Sequence, residues 1–88
     1  MGSQGKYAEA ETLCEHSLAV REKVLGPDHP DVAESLNNRA QLLRLQEDCK
    51  EALALLRRAL SIRNKKLGKD HPDTISTQNV SEHVQEKV

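Results

Sequence analysis

Two seven-residue segments with the same pattern constrain the fold of this chain more than any other feature. Residues 26–32 read GPDHPDV and residues 68–74 read GKDHPDT, 42 positions later. When each residue is compared with the one 42 positions later, 12 of the 23 pairs that start at residues 9–31 are identical. Only one of the next 15 pairs is identical. A fixed period of this length indicates stacked supersecondary units that bury their apolar faces against each other. Such an array is typical of a binding scaffold rather than an enzyme.

Composition favours helices and excludes several classes of function. Tyr7 is the only aromatic residue of 88, so the core must be built from Leu, Ala, Val and Ile, and 31% of the residues are charged. The formal net charge of −1 provides no field that would attract nucleic acid or an anionic membrane. No apolar run is long enough for a membrane span or a signal peptide, and we expect a cytoplasmic protein with Cys14 and Cys49 reduced.

Gly and Pro divide the chain into about four predicted helices. Each repeated segment places a Gly after one helix and a Pro in the first turn of the next, with His29 and His71 at or near the N-caps. Apolar spacing predicts an all-α fold with helices over about residues 6–25, 31–46, 48–67 and 73–86. We expect residues 1–4 to be a disordered translation start or cloning remnant, and residues 5–88 to form the helical repeat domain.

Each predicted helix has an apolar face at spacings of three and four residues. In chain order the faces are Tyr7, Ala10, Leu13, Cys14, Ser17 and Leu18; Val32, Leu36, Ala40 and Leu43; Ala52, Leu55, Leu56, Ala59, Leu60 and Ile62; and Ile75, Val80 and Val84. In the last helix Gln78, Glu82 and Gln85 replace three apolar residues of the second. This polar face suits either a terminal cap or a frayed tail.

The pattern of small residues next to large ones in the second and third predicted helices resembles that of a known repeat family. The pattern LxxRAxxL over residues 36–43, followed by AxxxLxxA over residues 52–59, resembles the tetratricopeptide repeat, in which small residues lie where two antiparallel helices touch. The longer 42-residue unit, with its Gly-x-Asp-His-Pro-Asp connection, resembles the repeat of kinesin light chains and nephrocystin. The resemblance covers about residues 5–73 and implies a protein–protein interaction scaffold. Each tetratricopeptide unit has a first helix (helix A) and a second helix (helix B). By this resemblance the chain begins with a helix B, and its second and third helices form the one complete helix A–helix B pair.

By this resemblance, helix A lines a concave groove that binds peptides. The candidate groove residues are Asn37, Asn38, Gln41, Arg44 and, in the next unit, Asn79. Amide side chains can hydrogen-bond a peptide backbone without reading its sequence, and Arg can pair with a carboxylate. The resemblance therefore implies capture of a short extended or acidic peptide, with Asn38 as the best single candidate. Alternatively, these are solvated polar residues of a repeat whose relatives bind through other units.

Other charged and titratable residues have simpler explanations. The second half of the third helix carries the cations Arg57, Arg58, Arg63, Lys65, Lys66 and, just beyond it, Lys69. They could meet an acidic peptide or lipid surface, but cations near a helix C-terminus are stabilising by themselves. His16 and His83 have no Cys or carboxylate at a recognised ligand spacing, and no nucleophile or phosphate-loop motif occurs. We therefore expect no catalytic residue, metal or cofactor, and neither nucleic acid nor membrane as a partner.

The turn between helix A and helix B lacks the glycine that is usual in the family. Gly5-Lys6-Tyr7 retains it before the first helix, but the later counterpart is Glu47-Asp48-Cys49. Because every residue from 42 to 60 is compatible with a helix, the hairpin could straighten and exchange halves with a second chain. The alternative function is therefore a self-associating assembly module, with a domain-swapped homodimer hinged at Glu47 and Asp48. A third alternative is a folding unit from a longer array that binds nothing tightly.

Overall fold

Four α-helices, joined by connections of three or four residues, make up the fold. The computed structural model describes the backbone of residues 2–87 and the side chains of residues 7–87. The helices are α1 (Gly2–Leu25), α2 (Pro30–Leu45), α3 (Cys49–Leu67) and α4 (Pro72–Gln85). Each packs on its neighbour in the chain, and the short connections make successive helices antiparallel. The predicted all-α helical-repeat fold is confirmed.

The start of α1 differs from the prediction. The helix begins at Gly2 rather than near Lys6, inside the segment 1–4 for which the sequence predicts disorder, while Met1 lies outside the described residues. Gly5, expected in a turn, lies within α1, because a glycine costs a helix about 1 kcal/mol but does not end it. Gly26 and Gly68 do occupy the predicted positions after helices, with φ of 97° and 89°.

The two His-Pro connections start α2 and α4 in the same way. Nδ1 of His29 accepts a hydrogen bond from the N–H of Asp31 at 3.1 Å, and Nδ1 of His71 accepts one from the N–H of Asp73 at 3.1 Å. In each connection the proline occupies the first turn of the helix. Both predicted N-caps are confirmed, and these two histidines are therefore structural residues.

The core lies on both sides of the contact between α2 and α3. Ala33, Ala40, Ala52 and Ala59 are fully buried there, which lets the two helices approach closely. The larger buried side chains around them are Val32, Leu36, Leu43, Leu53, Leu56 and Ile62. The predicted face of α2 is confirmed. On α3, four of the six predicted residues are buried and Leu53 adds to them, whereas Leu55 and Leu60 are half-buried.

The outer helices bury fewer of their predicted residues. Leu18 of α1 is buried, but Leu13, predicted to be buried, is 70% exposed. The buried residues of α4 are Thr74, Thr77, Ser81 and Val84. Ile75, predicted to be buried, is 45% exposed. The residues of α2 and α3 at the same repeat positions lie in the core because those helices have a neighbour on each side, whereas α1 and α4 have one.

An arginine near the end of α1 ties this helix to the start of α2. Nη1 of Arg21 donates hydrogen bonds to the carbonyl oxygen of Asp31 and to Oγ of Ser35, both at 2.9 Å. The charged donor adds a second hydrogen bond to a main-chain carbonyl in the first turn of α2, which already accepts within the helix. No contact of Arg21 was predicted from the sequence.

Arg63 forms the equivalent contact one repeat later, between α3 and α4. Its Nη1 donates to the carbonyl oxygen of Asp73 at 3.3 Å and to Oγ1 of Thr77 at 2.5 Å. Because α4 packs chiefly on α3, this contact is one of the few polar anchors that α4 has. Arg21 and Arg63 are identical residues at the same repeat position, and this identity was the sequence signal from which their shared contact could have been predicted.

We expect Arg63→Gln to loosen α4. Hydrogen bonds from a charged group contribute about 1.5–3 kcal/mol, so amide hydrogen exchange over residues 72–85 should become roughly tenfold faster or more. Exchange over residues 30–45 should change much less. Arg57→Gln, on an exposed part of the same helix, is the matched control. Unaltered exchange of α4 in the Arg63 variant would show that the contact contributes nothing.

Candidate peptide-binding groove

A shallow pocket lies where the C-terminal half of α2 meets the first turn of α3 and the residues after α4. It has a volume of about 320 Å³ and is lined by Gln41, Arg44, Leu45, Cys49 and Lys87. Leu45 is largely exposed, so an apolar surface lies between two cations. Among the residues whose side chains are described, neither Arg44 nor Lys87 forms an ion pair. Both charges are therefore available to a ligand.

The structure brings together two of the five predicted groove residues. Gln41 and Arg44 line the pocket, and Asn38 is exposed one turn earlier on α2. Asn79 is exposed on α4 and does not line the pocket. The sequence interpretation missed the other lining residues, Leu45, Cys49 and Lys87. Lys87 lies 42 residues after Leu45, at the same repeat position, so the 42-residue period could have indicated it. Cys49 could not be found in this way, because only the fold brings it to the pocket.

Asn37 is only partly accessible. Its Oδ1 is buried and has no hydrogen-bond partner among the described residues. A buried acceptor without a hydrogen-bond partner lowers the stability of the fold by about 1–3 kcal/mol. The surrounding packing must offset this cost. A ligand could reach only the remaining part of the side chain. Asn38 and Gln41, both exposed, are better placed to contact a peptide.

Arg39, on the same helix, has a structural role. Its Nη2 lies 2.8 Å from Oε1 of Glu15 on α1 and 3.6 Å from Oε1 of Glu51 on α3. One arginine of α2 therefore joins the helices on its two sides. Because these two carboxylates already compensate its charge, Arg44 is the better candidate for binding an acidic ligand.

Several cations of α3 are also used within the molecule. Arg58 Nη2 lies 3.0 Å from Glu22 Oε1, and Lys65 Nζ lies 3.4 Å from Asp28 Oδ2. Arg58 thus links α3 to α1, Lys65 links it to the connection between α1 and α2, and Arg63 links it to α4. The contacts favour a stabilising role for the basic half of α3 over recognition of an acidic surface.

The turn between α2 and α3 has a strained conformation at the predicted hinge. Glu47 has φ of 64°, the only positive φ of a residue other than glycine among those described. Its N–H donates to the carbonyl oxygen of Arg44 at 3.0 Å, and that of Asp48 donates to the carbonyl oxygen of Leu43 at 2.8 Å. This is the Schellman pattern with Glu at the position where Gly is usual. The left-handed conformation costs such a residue about 1–2 kcal/mol.

The same segment of the repeat follows two different paths in this chain. Residues 46–48 form the turn, whereas residues 4–6, at the same repeat positions, lie inside α1. A helix that ran straight through residues 46–48 would relieve Glu47 of its strain and would lose the two turn hydrogen bonds. The strain and the loss act in opposite directions, which makes the turn a reasonable site for a conformational change.

Stacked antiparallel helix pairs with alanines at their contact define an α-helical repeat module. The chain belongs to the tetratricopeptide repeat family, since the family model described as a tetratricopeptide repeat matches residues 2–65 and 36–81. Repeats of this family are non-catalytic scaffolds that generally mediate protein–protein interactions. No curated protein matches the chain.

Two further features of the described residues bear on the site. No helix among them has the length and apolar composition needed to cross a membrane. Within residues 7–87, no group of three or more His, Cys, Asp or Glu side chains converges where a metal ion could bind.

We expect Glu47→Gly to raise the free energy of unfolding of the monomer by about 1 kcal/mol, because glycine adopts a positive φ without strain. Urea denaturation followed by circular dichroism measures the change. Glu34→Gly is the matched control, since Glu34 is exposed inside α2 and its replacement should lower stability by about 1 kcal/mol. Equal destabilisation by both substitutions would contradict a strained turn.

Proposed function

We propose that this chain binds a short extended or acidic peptide along α2, with Asn38, Gln41 and Arg44 as the principal contacts. The observation that carries the proposal is the pocket that Gln41, Arg44 and Lys87 line together with the exposed Leu45. Charge-assisted hydrogen bonds from Arg and Lys to a carboxylate are shorter and stronger than neutral ones. An acidic side chain or a C-terminal carboxylate of the peptide would occupy this pocket.

The spacing along α2 suits an extended ligand. From residue 38 to residue 44 the helix rises about 9 Å, at 1.5 Å per residue. An extended peptide covers that length in about three residues. The Asn38 and Gln41 amides would then hydrogen-bond the peptide main chain, while Arg44 binds the acidic group two or three residues further along.

The remaining predicted residues have secondary roles in this proposal. Asn37 supports the exposed amides from its half-buried position, and Asn79 on α4 would meet only a longer ligand. A cytoplasmic location is proposed because Cys14 and Cys49 are both free and half-buried, which fits a reducing compartment. The finer likeness to kinesin light chain and nephrocystin repeats remains a resemblance in period and motif.

Binding can be tested by fluorescence anisotropy with labelled hexapeptides that contain two acidic residues, compared with copies that carry Asn and Gln instead. We expect the acidic peptides to bind more tightly, and Asn38→Ala combined with Arg44→Ala to weaken binding by at least tenfold, because the variant removes an amide contact and a charge-assisted one. Rising salt should weaken binding of the acidic peptides.

Arg57→Ala, an exposed arginine away from the pocket, is the control for nonspecific charge. Circular dichroism of each variant checks that the helices are intact. The site assignment would be wrong if the double variant bound the acidic peptides as tightly as the unaltered chain, or if the neutral peptides bound equally well.

A second candidate function, self-association through a domain swap, is supported by the left-handed φ of Glu47. In the swapped dimer, residues 42–60 would form one continuous helix, and α3 and α4 of each chain would pack on α1 and α2 of the other. The strain at Glu47 favours this opening, and the turn hydrogen bonds oppose it.

Sedimentation equilibrium distinguishes the swap from a monomer. If the swap forms, Glu47→Gly should reduce the dimer fraction by stabilising the turn, and Glu47→Ala should increase it by favouring the helix. If neither substitution changes the dimer fraction, this hinge is ruled out. The third alternative, an isolated folding unit, predicts a monomer at high micromolar concentration that binds no peptide.

A further inference from the structure

The outer face of α1 is apolar and uncovered. Leu13, Val20 and Val24 are 70%, 47% and 73% exposed. With Ala10 and Ser17 they form a stripe, here called the α1 seam, at successive spacings of three, four, three and four residues. This is the spacing of the core positions in a coiled coil. Buried Leu18 and the Arg21 contact lie beside this stripe, toward α2.

An equivalent face within the same chain is already covered by a helix. One repeat later, the positions of Ala10, Leu13, Ser17 and Val20 are taken by Ala52, Leu55, Ala59 and Ile62. These residues of α3 keep the alternation of small and large side chains, and they pack in the clusters that α3 shares with antiparallel α2. The first four positions of the α1 seam therefore have the side-chain sizes that accept an antiparallel helix in this fold, whereas the fifth, Val24, corresponds to exposed Lys66.

The α4 helix of another copy is a poor match for the seam. Its outward residues Gln78, Glu82 and Gln85 are all exposed and polar. Burying them against Leu13 and Val20 would remove two amides and a carboxylate from water without partners, which is costly. Head-to-tail stacking of copies is thus disfavoured, and an assembly through the seam should stop at two chains.

We propose that the α1 seam is covered by α1 of a second copy, packed antiparallel in a two-fold dimer. In one register, Ala10 packs against Val20 of the partner subunit, and Leu13 packs against Ser17 of the partner subunit. Each layer then pairs a small side chain with a large one, which allows interdigitation without voids. The two-fold axis repeats both contacts, so the interface is self-complementary.

Charges along one edge of the seam select this register and direction. Glu9, His16 and Lys23 follow one another at intervals of seven residues, at the flanking position that faces its own equivalent in an antiparallel pair. The register above places Glu9 opposite Lys23 of the partner subunit, twice in the dimer. A parallel pair would place Glu9 near Cys14 of the partner subunit and form no such ion pair. Both Glu9 and Lys23 are exposed and form no ion pair among the described residues.

This dimer is independent of the peptide groove and of the hinge. The seam lies on α1, the groove on α2, and no chain needs to open at Glu47. A seam over residues 10–24 is short compared with a standard interface of about 1,600 Å², so the dimer should dissociate on dilution.

Sedimentation equilibrium of the whole chain over a wide concentration range tests the proposal. We expect a monomer–dimer equilibrium that Leu13→Glu abolishes, since a carboxylate in the seam cannot be buried unpaired. Ile75→Glu, at an exposed apolar residue at the opposite end, is the matched control and should leave the equilibrium unchanged. Circular dichroism checks that both variants remain helical.

Charge exchange tests the direction of packing. Glu9→Lys and Lys23→Glu should each weaken the dimer by roughly tenfold, because each puts two like-charge contacts in place of two ion pairs. The double variant should restore it. Failure of this rescue would overturn the antiparallel register.

Three other outcomes would overturn the proposal. The first is a monomer at every concentration. The second is a dimer that resists Leu13→Glu but is lost with Glu47→Gly, which identifies a swap. The third is a larger assembly that Ile75→Glu dissolves, which identifies head-to-tail stacking.

Discussion

The close contact between α2 and α3 is the interaction on which the rest of the structure depends. Fully buried alanines on both helices let the backbones approach, and leucines beside them fill the space on each side. α1 and α4 then pack on the outer sides of this pair, and arginines link them to it. Arg39 of α2 joins α1 and α3 through Glu15 and Glu51.

α1 and α4 each pack on one of the described helices, but their outward faces have different chemistry. α4 is a helix with buried Val84 and a polar outward face, which is what a terminal cap requires, so the cap explains its residues better than a frayed tail does. The outward face of α1 is apolar at Leu13, Val20 and Val24. In a repeat protein each unit interacts only with its neighbours, so an end without a polar face is where further association is favoured.

Much of the fold could be predicted from the sequence, because its determinants are local. The His29 and His71 caps are bonds between residues two apart, and the glycines that follow α1 and α3 occupy positive φ. The candidate site was predicted less completely. Gln41 and Arg44 follow from the pattern of one helix, and Lys87 shares a repeat position with Leu45, but Cys49 reaches the pocket only through the fold.

By itself, the sequence determined the number of helices, their limits to within about one residue except at the start of α1, and the buried faces of α2 and α3. Only the tertiary structure decided which sides of α1 and α4 are buried, where Arg21 and Arg63 bind, and that Glu47 adopts a left-handed conformation. The physical reason is that periodicity shows which residues can face a neighbour. Whether a neighbour is present there depends on how the helices are stacked.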